Sequence, residues 1–154
     1  MAANLKQRLI KAGRDFNFAE GVKVLAEEDI TAGQIVAMSG YAGPFLKVVK
    51  ADLGASDAAV AKRCGRLLIA KHDIPANGYG VCLPWKLVTG VDTSASAGVG
   101  APVYLNTAGT VQFTATAAAR QRIVGSVVVD ATADATTPGA YMFSGELDFG
   151  KLAP

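Results

Sequence analysis

The chain has 154 residues, of which 51% are hydrophobic and 18% charged, with a formal net charge of +2. That length suits one domain, whose core buries about 70% of the surface its unfolded chain exposes, so neither a disulfide framework nor a structural metal is required. A balance so close to neutral excludes nucleic-acid binding by bulk electrostatics, and no apolar run approaches the ~18–20 residues of a membrane-spanning helix. The apolar surplus, a mean hydropathy of +0.29, lies in short pieces and reads as buried area, part of it between subunits.

Residues 1–10 lack the continuous apolar core of a secretory signal, so synthesis in the cytoplasm is expected. Residues 1–18 read as an N-terminal arm, and residues 19–154 as a single β domain. Lys6, Arg8, Lys11 and Arg14 all precede the first acid, Asp15. Leu5, Leu9 and Ala12 fall at i, i+4, i+7, which suits a short amphipathic helix, although Gly13 and the missing N-cap oppose one. Phe16 and Phe18 add apolar surface next to the domain.

From Gly21 onward the pattern changes to short apolar runs broken by turn residues. The expected strands cover 22–26, 34–38, 45–50, 66–71, 80–88, 102–105, 111–114, 123–129 and 141–147, all rich in β-branched and aromatic residues. Between them stand Ser39-Gly40, Asn77-Gly78, Ala97-Gly98, Ala108-Gly109 and Pro138-Gly139, read as turns. Asn77-Gly78 predicts a type I′ turn with positive φ at both residues. One stretch breaks the rhythm: 56–63 has good helix formers behind Ser56 as N-cap, and one short helix is expected there. Many short strands at even spacing imply an all-β domain, a small barrel or sandwich.

A weak repeat runs through the turns. Asp29-Ile30-Thr31-Ala32-Gly33, Asp73-Ile74-Pro75-Ala76-Asn77-Gly78 and Asp92-Thr93-Ser94-Ala95 each lead into a strand. In each, the acid is expected to accept from the backbone two residues on, while Gly supplies positive φ. One carboxylate per turn is too few for a calcium shell.

The sequence contains little that could carry catalysis. His72, the only histidine, stands at a strand end between Lys71 and Asp73 and reads as a satisfied surface residue. Cys64 and Cys82 match no zinc spacing, and in a reducing compartment they read as buried free thiols. There is no nucleophile elbow, P-loop or dinucleotide fingerprint. Glu27-Glu28-Asp29 would point to alternating faces of an extended segment rather than converge on one ion. The basic run Lys62-Arg63-Cys64-Gly65-Arg66 lacks the interleaved aromatics of a single-strand binder. Trp85, the only tryptophan, reads as a core or subunit-interface anchor. Pro84 beside it predicts an edge strand or a bulge. No catalytic residue, metal ligand or cofactor is expected.

The segments Asp29-Ile30-Thr31-Ala32-Gly33-Gln34-Ile35-Val36, Ala70-Lys71-His72-Asp73-Ile74-Pro75-Ala76-Asn77-Gly78-Tyr79-Gly80-Val81, Leu87-Val88-Thr89-Gly90-Val91-Asp92-Thr93-Ser94, Gly100-Ala101-Pro102-Val103-Tyr104-Leu105 and Arg122-Ile123-Val124-Gly125-Ser126-Val127-Val128 together resemble the capsid cement, or head decoration, proteins of tailed phages. The resemblance covers roughly residues 22–130 and lies in the order and style of the turns. Where that family usually has Asp after the second Gly of the third turn, this chain has Ala101. The resemblance implies a small β-barrel or β-tulip domain that binds outside the major capsid protein, often as a homotrimer, on the outer surface of the virion. On that reading Lys6, Arg8, Leu9, Lys11, Arg14, Phe16 and Trp85 are the expected capsid or subunit contacts, with no nucleic acid and no membrane as partner. Two other readings are a carbohydrate- or peptide-binding barrel using Trp85 and a small hydrolase using Cys82 with His72.

Overall fold

The structure, a computed structural model, describes residues 21–53, 65–115, 121–131 and 137–145. The arm, the expected helix over 56–63, Cys64 and the end of the last expected strand lie outside the described residues. The protein is all-β, with two sheets. β1 (Val22–Ala26), β2 (Ile35–Ala42), β3 (Phe45–Lys50), β4 (Leu67–Ala70) and β5 (Tyr79–Leu83) close into a five-stranded barrel in the order β1-β3-β2-β4-β5. β6 (Trp85–Val91), β7 (Pro102–Leu105), β8 (Val111–Gln112), β9 (Ile123–Val129) and β10 (Gly139–Ser144) form an open sheet in the order β6-β10-β9-β7-β8. A 3-10 turn at Thr107–Gly109 is the one helical element among the described residues.

The barrel is a two-fold repeat. Adding 44 to each residue number of β1, its loop and β2 gives β4, its loop and β5, and the hydrogen bonds follow the same operation. Ile30 and Ile74 exchange backbone bonds of 2.8 Å each way. The Asp29 carboxylate accepts from the Ala76 N–H at 2.8 Å, and the Asp73 carboxylate accepts from the Ala32 N–H at 2.7 Å. The pairing of Val36 with Leu68 is matched by that of Val24 with Gly80. Each acid therefore reaches into the other loop, not two residues along its own. The third acid behaves differently: Asp92 accepts from its own neighbour, the Ser94 N–H, at 3.0 Å, and its loop belongs to the open sheet. The repeat seen in the sequence is thus twofold, and its third copy is a local turn.

Both loops turn the same way. Gln34 N–H bonds to Thr31 O and Gly78 N–H to Pro75 O, with positive φ at the third residue, Gly33 (+84°) or Asn77 (+60°). This is the pattern of a type II turn. The type I′ turn expected at Asn77-Gly78 is not formed, because Gly78 does not have positive φ. Gly78 is needed for a different reason: a Cβ there would lie 2.8 Å from the Pro75 carbonyl oxygen.

Two cores result from strand alternation. Val36, Leu68 and Ala70 point into the barrel with Val24, Ala26, Val48, Ile74 and Cys82. Their neighbours Ile35, Ala37, Leu67 and Ile69 point outward, where Val103, Leu105, Val124, Val127, Tyr141 and Phe143 of the open sheet cover them. β4 is buried on both faces, which explains the unbroken apolar run Leu67-Leu68-Ile69-Ala70. The single strand expected over 80–88 is two strands. Pro84 ends β5, and β6 leaves the barrel to become an edge of the open sheet. Ser39-Gly40, expected as a turn, is a bulge within β2, where the register against β3 shifts between Met38 and Gly40.

Candidate functional site

Among the described residues, the groups with catalytic potential are held by structural bonds or buried. His72 Nδ1 lies 2.8 Å from the Asp73 carbonyl oxygen, which can only accept, so Nδ1 carries the proton. Nε2 then accepts from the Val81 N–H at 3.1 Å. Both ring nitrogens are committed to the backbone, and neither is placed to activate a nucleophile. Cys82 is a buried free thiol in the barrel interior, and burial pushes its pKa up to about 12; the reactive form of a thiol is the thiolate. The acidic run separates, as alternation requires. Glu27 accepts from the Ser39 hydroxyl at 2.6 Å and from Lys47 Nζ at 3.0 Å; these bonds, Ser39's first, hold its carboxyl below the ordinary value. Glu28 accepts from the Lys50 N–H, and Asp29 from the other loop. Among the described residues, no three His, Cys, Asp or Glu side chains converge.

The features available for function are surfaces. The first is a groove of about 440 Å³ on the barrel, lined by Val22, Lys23, Met38, Tyr41, Pro44, Phe45 and Leu46. It forms where the β2–β3 hairpin tip stands beside the start of β1, the strand that residues 1–20 lead into. Phe45 also packs on Tyr79, ring centroids 4.7 Å apart. Tyr41 is 78% exposed and Tyr79 63% exposed.

The second surface is the side of the open sheet turned away from the barrel. Trp85 begins β6, the edge strand, and is 52% exposed, with Leu87 two residues on at 48%. Trp85 is therefore not a core residue; of the two roles expected for it, the core role is corrected by its exposure.

The other expected contacts, Lys6, Arg8, Leu9, Lys11, Arg14 and Phe16, lie outside the described residues. Sequence reasoning missed Tyr41, Tyr79 and Leu87. Tyr41 was hidden because Ser39-Gly40 read as a turn, which left residue 41 outside any expected strand, whereas β2 runs on to Ala42. Leu87 was hidden because its face is set by pairing with β10. No family model matches the chain, and no curated protein matches it. Among solved structures, the chain is similar to "the crystal structure of head fiber gp8.5 N base in bacteriophage phi29", at 15% identity and a TM-score of 0.49, over 82% of this chain and 94% of that one.

Proposed function

We propose that this chain is a non-enzymatic structural protein of a tailed-phage virion, made in the host cytoplasm. It decorates the outer surface of the capsid and stabilises it by clamping subunits of the major capsid protein. The observation that carries this reading is the position of the aromatic groove at the root of the arm. Val22 and Lys23, the first residues of β1, form part of its lining. On this reading the barrel contributes Tyr41 and Phe45 to the capsid contact, and residues 1–18 contribute Lys6, Arg8, Leu9, Lys11, Arg14 and Phe16. The turn order shared with the cement proteins supports the same reading. Self-association, as a homotrimer by the family resemblance, belongs to it, with Trp85 as a subunit contact.

The energetics favour many weak attachments. Exposed ion pairs contribute roughly 0–1 kcal/mol each, and a fully buried large apolar side chain roughly 1.5–3 kcal/mol. Against this stands a backbone ordering cost of about 1–2 kcal/mol per residue. Attachment is modest per copy and strong where linked copies bind one shell.

Deletion of residues 1–18 and, separately, Tyr41→Ala test the reading. Each variant is expected to fold normally and to be displaced from capsids more easily, the arm deletion most of all in high salt. Unchanged capsid affinity for both variants at every salt concentration removes the proposed contact surface. A second reading, a carbohydrate- or peptide-binding module, is favoured by the exposure of Trp85; it requires Trp85 fluorescence to respond to a panel of soluble glycans or peptides.

A further inference from the structure

The open sheet is almost free of charge. Lys86 is the single charged residue in its five strands. An antiparallel sheet with one wet face normally alternates apolar inward with polar outward. Here the inward side packs on the barrel, as described above, yet the outward side is also apolar or neutral. Met142 lies between the buried Tyr141 and Phe143, so it faces outward. Leu87 is paired with Met142, Met142 with Ser126, and Ser126 with Pro102. This gives a row across four strands on one face, flanked by Trp85 and Val128. Trp85 and Leu87 are about half exposed, and Val128 is 39% exposed.

We propose that this face is the interface between copies of this chain. About a rotation axis of any order, groups next to the axis meet their own copies, so a charge there faces its like, which is destabilising. A face whose strands carry no outward charge meets its own copy without that repulsion; the described charges nearest to it, Asp92 and Asp130, stand just beyond the ends of β6 and β9. A foreign partner would more often be met by a charged patch that steers encounter and rejects wrong partners. The charges of the described strands otherwise lie on the barrel, at Lys23, Lys47 and Lys50, away from this face. Exposed apolar side chains gathered on one face of a domain mark an interaction site. The inference rests on the self-association in the reading above, and it assigns that association to a face.

The test is made on the intact chain alone, without capsids. Size-exclusion chromatography with light scattering is expected to give a multiple of the 15.8 kDa chain mass. Leu87→Lys and Val128→Lys, each checked for folding by circular dichroism, are expected to weaken association by about tenfold or more. Ala76→Lys, on an exposed loop of the barrel, leaves it unchanged. Trp85 gives a readout that needs no variant: its emission should shift to the red, and its quenching by acrylamide should rise, as the wild-type protein is diluted into single chains. A single-chain mass at high micromolar concentration overturns the inference. So do folded Leu87→Lys and Val128→Lys proteins that keep the wild-type mass, or Trp85 emission and quenching that stay constant while the mass falls. A protein that binds capsids but fails these tests keeps the proposed function and loses this interface. One that passes them but ignores capsids keeps the interface alone.

Discussion

Cys82 owes its behaviour to its place in the barrel. Its folded pKa, raised by burial from 9.0 to about 12, favours the neutral thiol in the folded state. The stability it contributes is complete below its unfolded value and is lost as pH rises from about 9 towards 12. Tyr141, raised by burial from 10.0 to about 12, adds a second loss of the same sign from pH 10 upward. Each group costs about 1.4 kcal/mol per pH unit in its window. Denaturation midpoints are therefore expected to fall steeply above pH 9, and a thiol-reactive dye should label Cys82 only as the protein unfolds. Rapid labelling of Cys82 in a folded Cys64→Ser variant at neutral pH would show that the barrel interior is open.

The turn before β5 is equally specific about its residues. Asn77→Gly should be tolerated, because glycine adopts positive φ freely, whereas Asn77→Val is expected to cost about 1–3 kcal/mol. Gly78→Ala should also be destabilising by about 1–3 kcal/mol, through the contact with Pro75 rather than through φ. In a type I′ turn, Gly78→Asn would be accepted; here its thermal midpoint should drop like that of Gly78→Ala.

At the scale of elements, the exchanged carboxylates tie the two loops of the barrel together beside the Ile30–Ile74 backbone pair. Asp29→Ala and Asp73→Ala each leave a backbone donor of the opposite loop without its acceptor, and each is expected to cost about 1 kcal/mol in urea denaturation. Asp92→Ala breaks only a local bond and should cost less. Equal, negligible losses at all three positions would contradict the cross-loop role. The strands themselves were legible where turn residues bracket a β-branched run: 22–26, 45–50, 102–105 and 123–129 stand where the pattern puts them. Ser39-Gly40 misled because a bulge and a turn draw on the same residues. Pro84 signalled a break in pairing, but the sequence does not say that the chain changes sheets there. The cross-loop bonds of Asp29 and Asp73 were not legible either, since the repeat reveals a shared conformation and not which loop each acid reaches.

For the whole molecule, the barrel and the open sheet share one core through β2 and β4, and the described residues present two surfaces that suit partners. The groove beside β1 is the proposed capsid side, and the uncharged sheet face is the proposed side for other copies. Apolar surplus in the composition pointed to such surfaces, but their location required strand pairing, since in an uncharged strand neither set of alternate residues is marked as the wet one. The most direct test of the central claim is co-sedimentation of the intact chain with empty shells assembled from the major capsid protein of the same virus. The account predicts saturable binding, with a fixed number of chains per capsid subunit, and shells that resist heating better when decorated. Failure to sediment with the shells, or binding that rises without saturation and leaves their thermal stability unchanged, would contradict it.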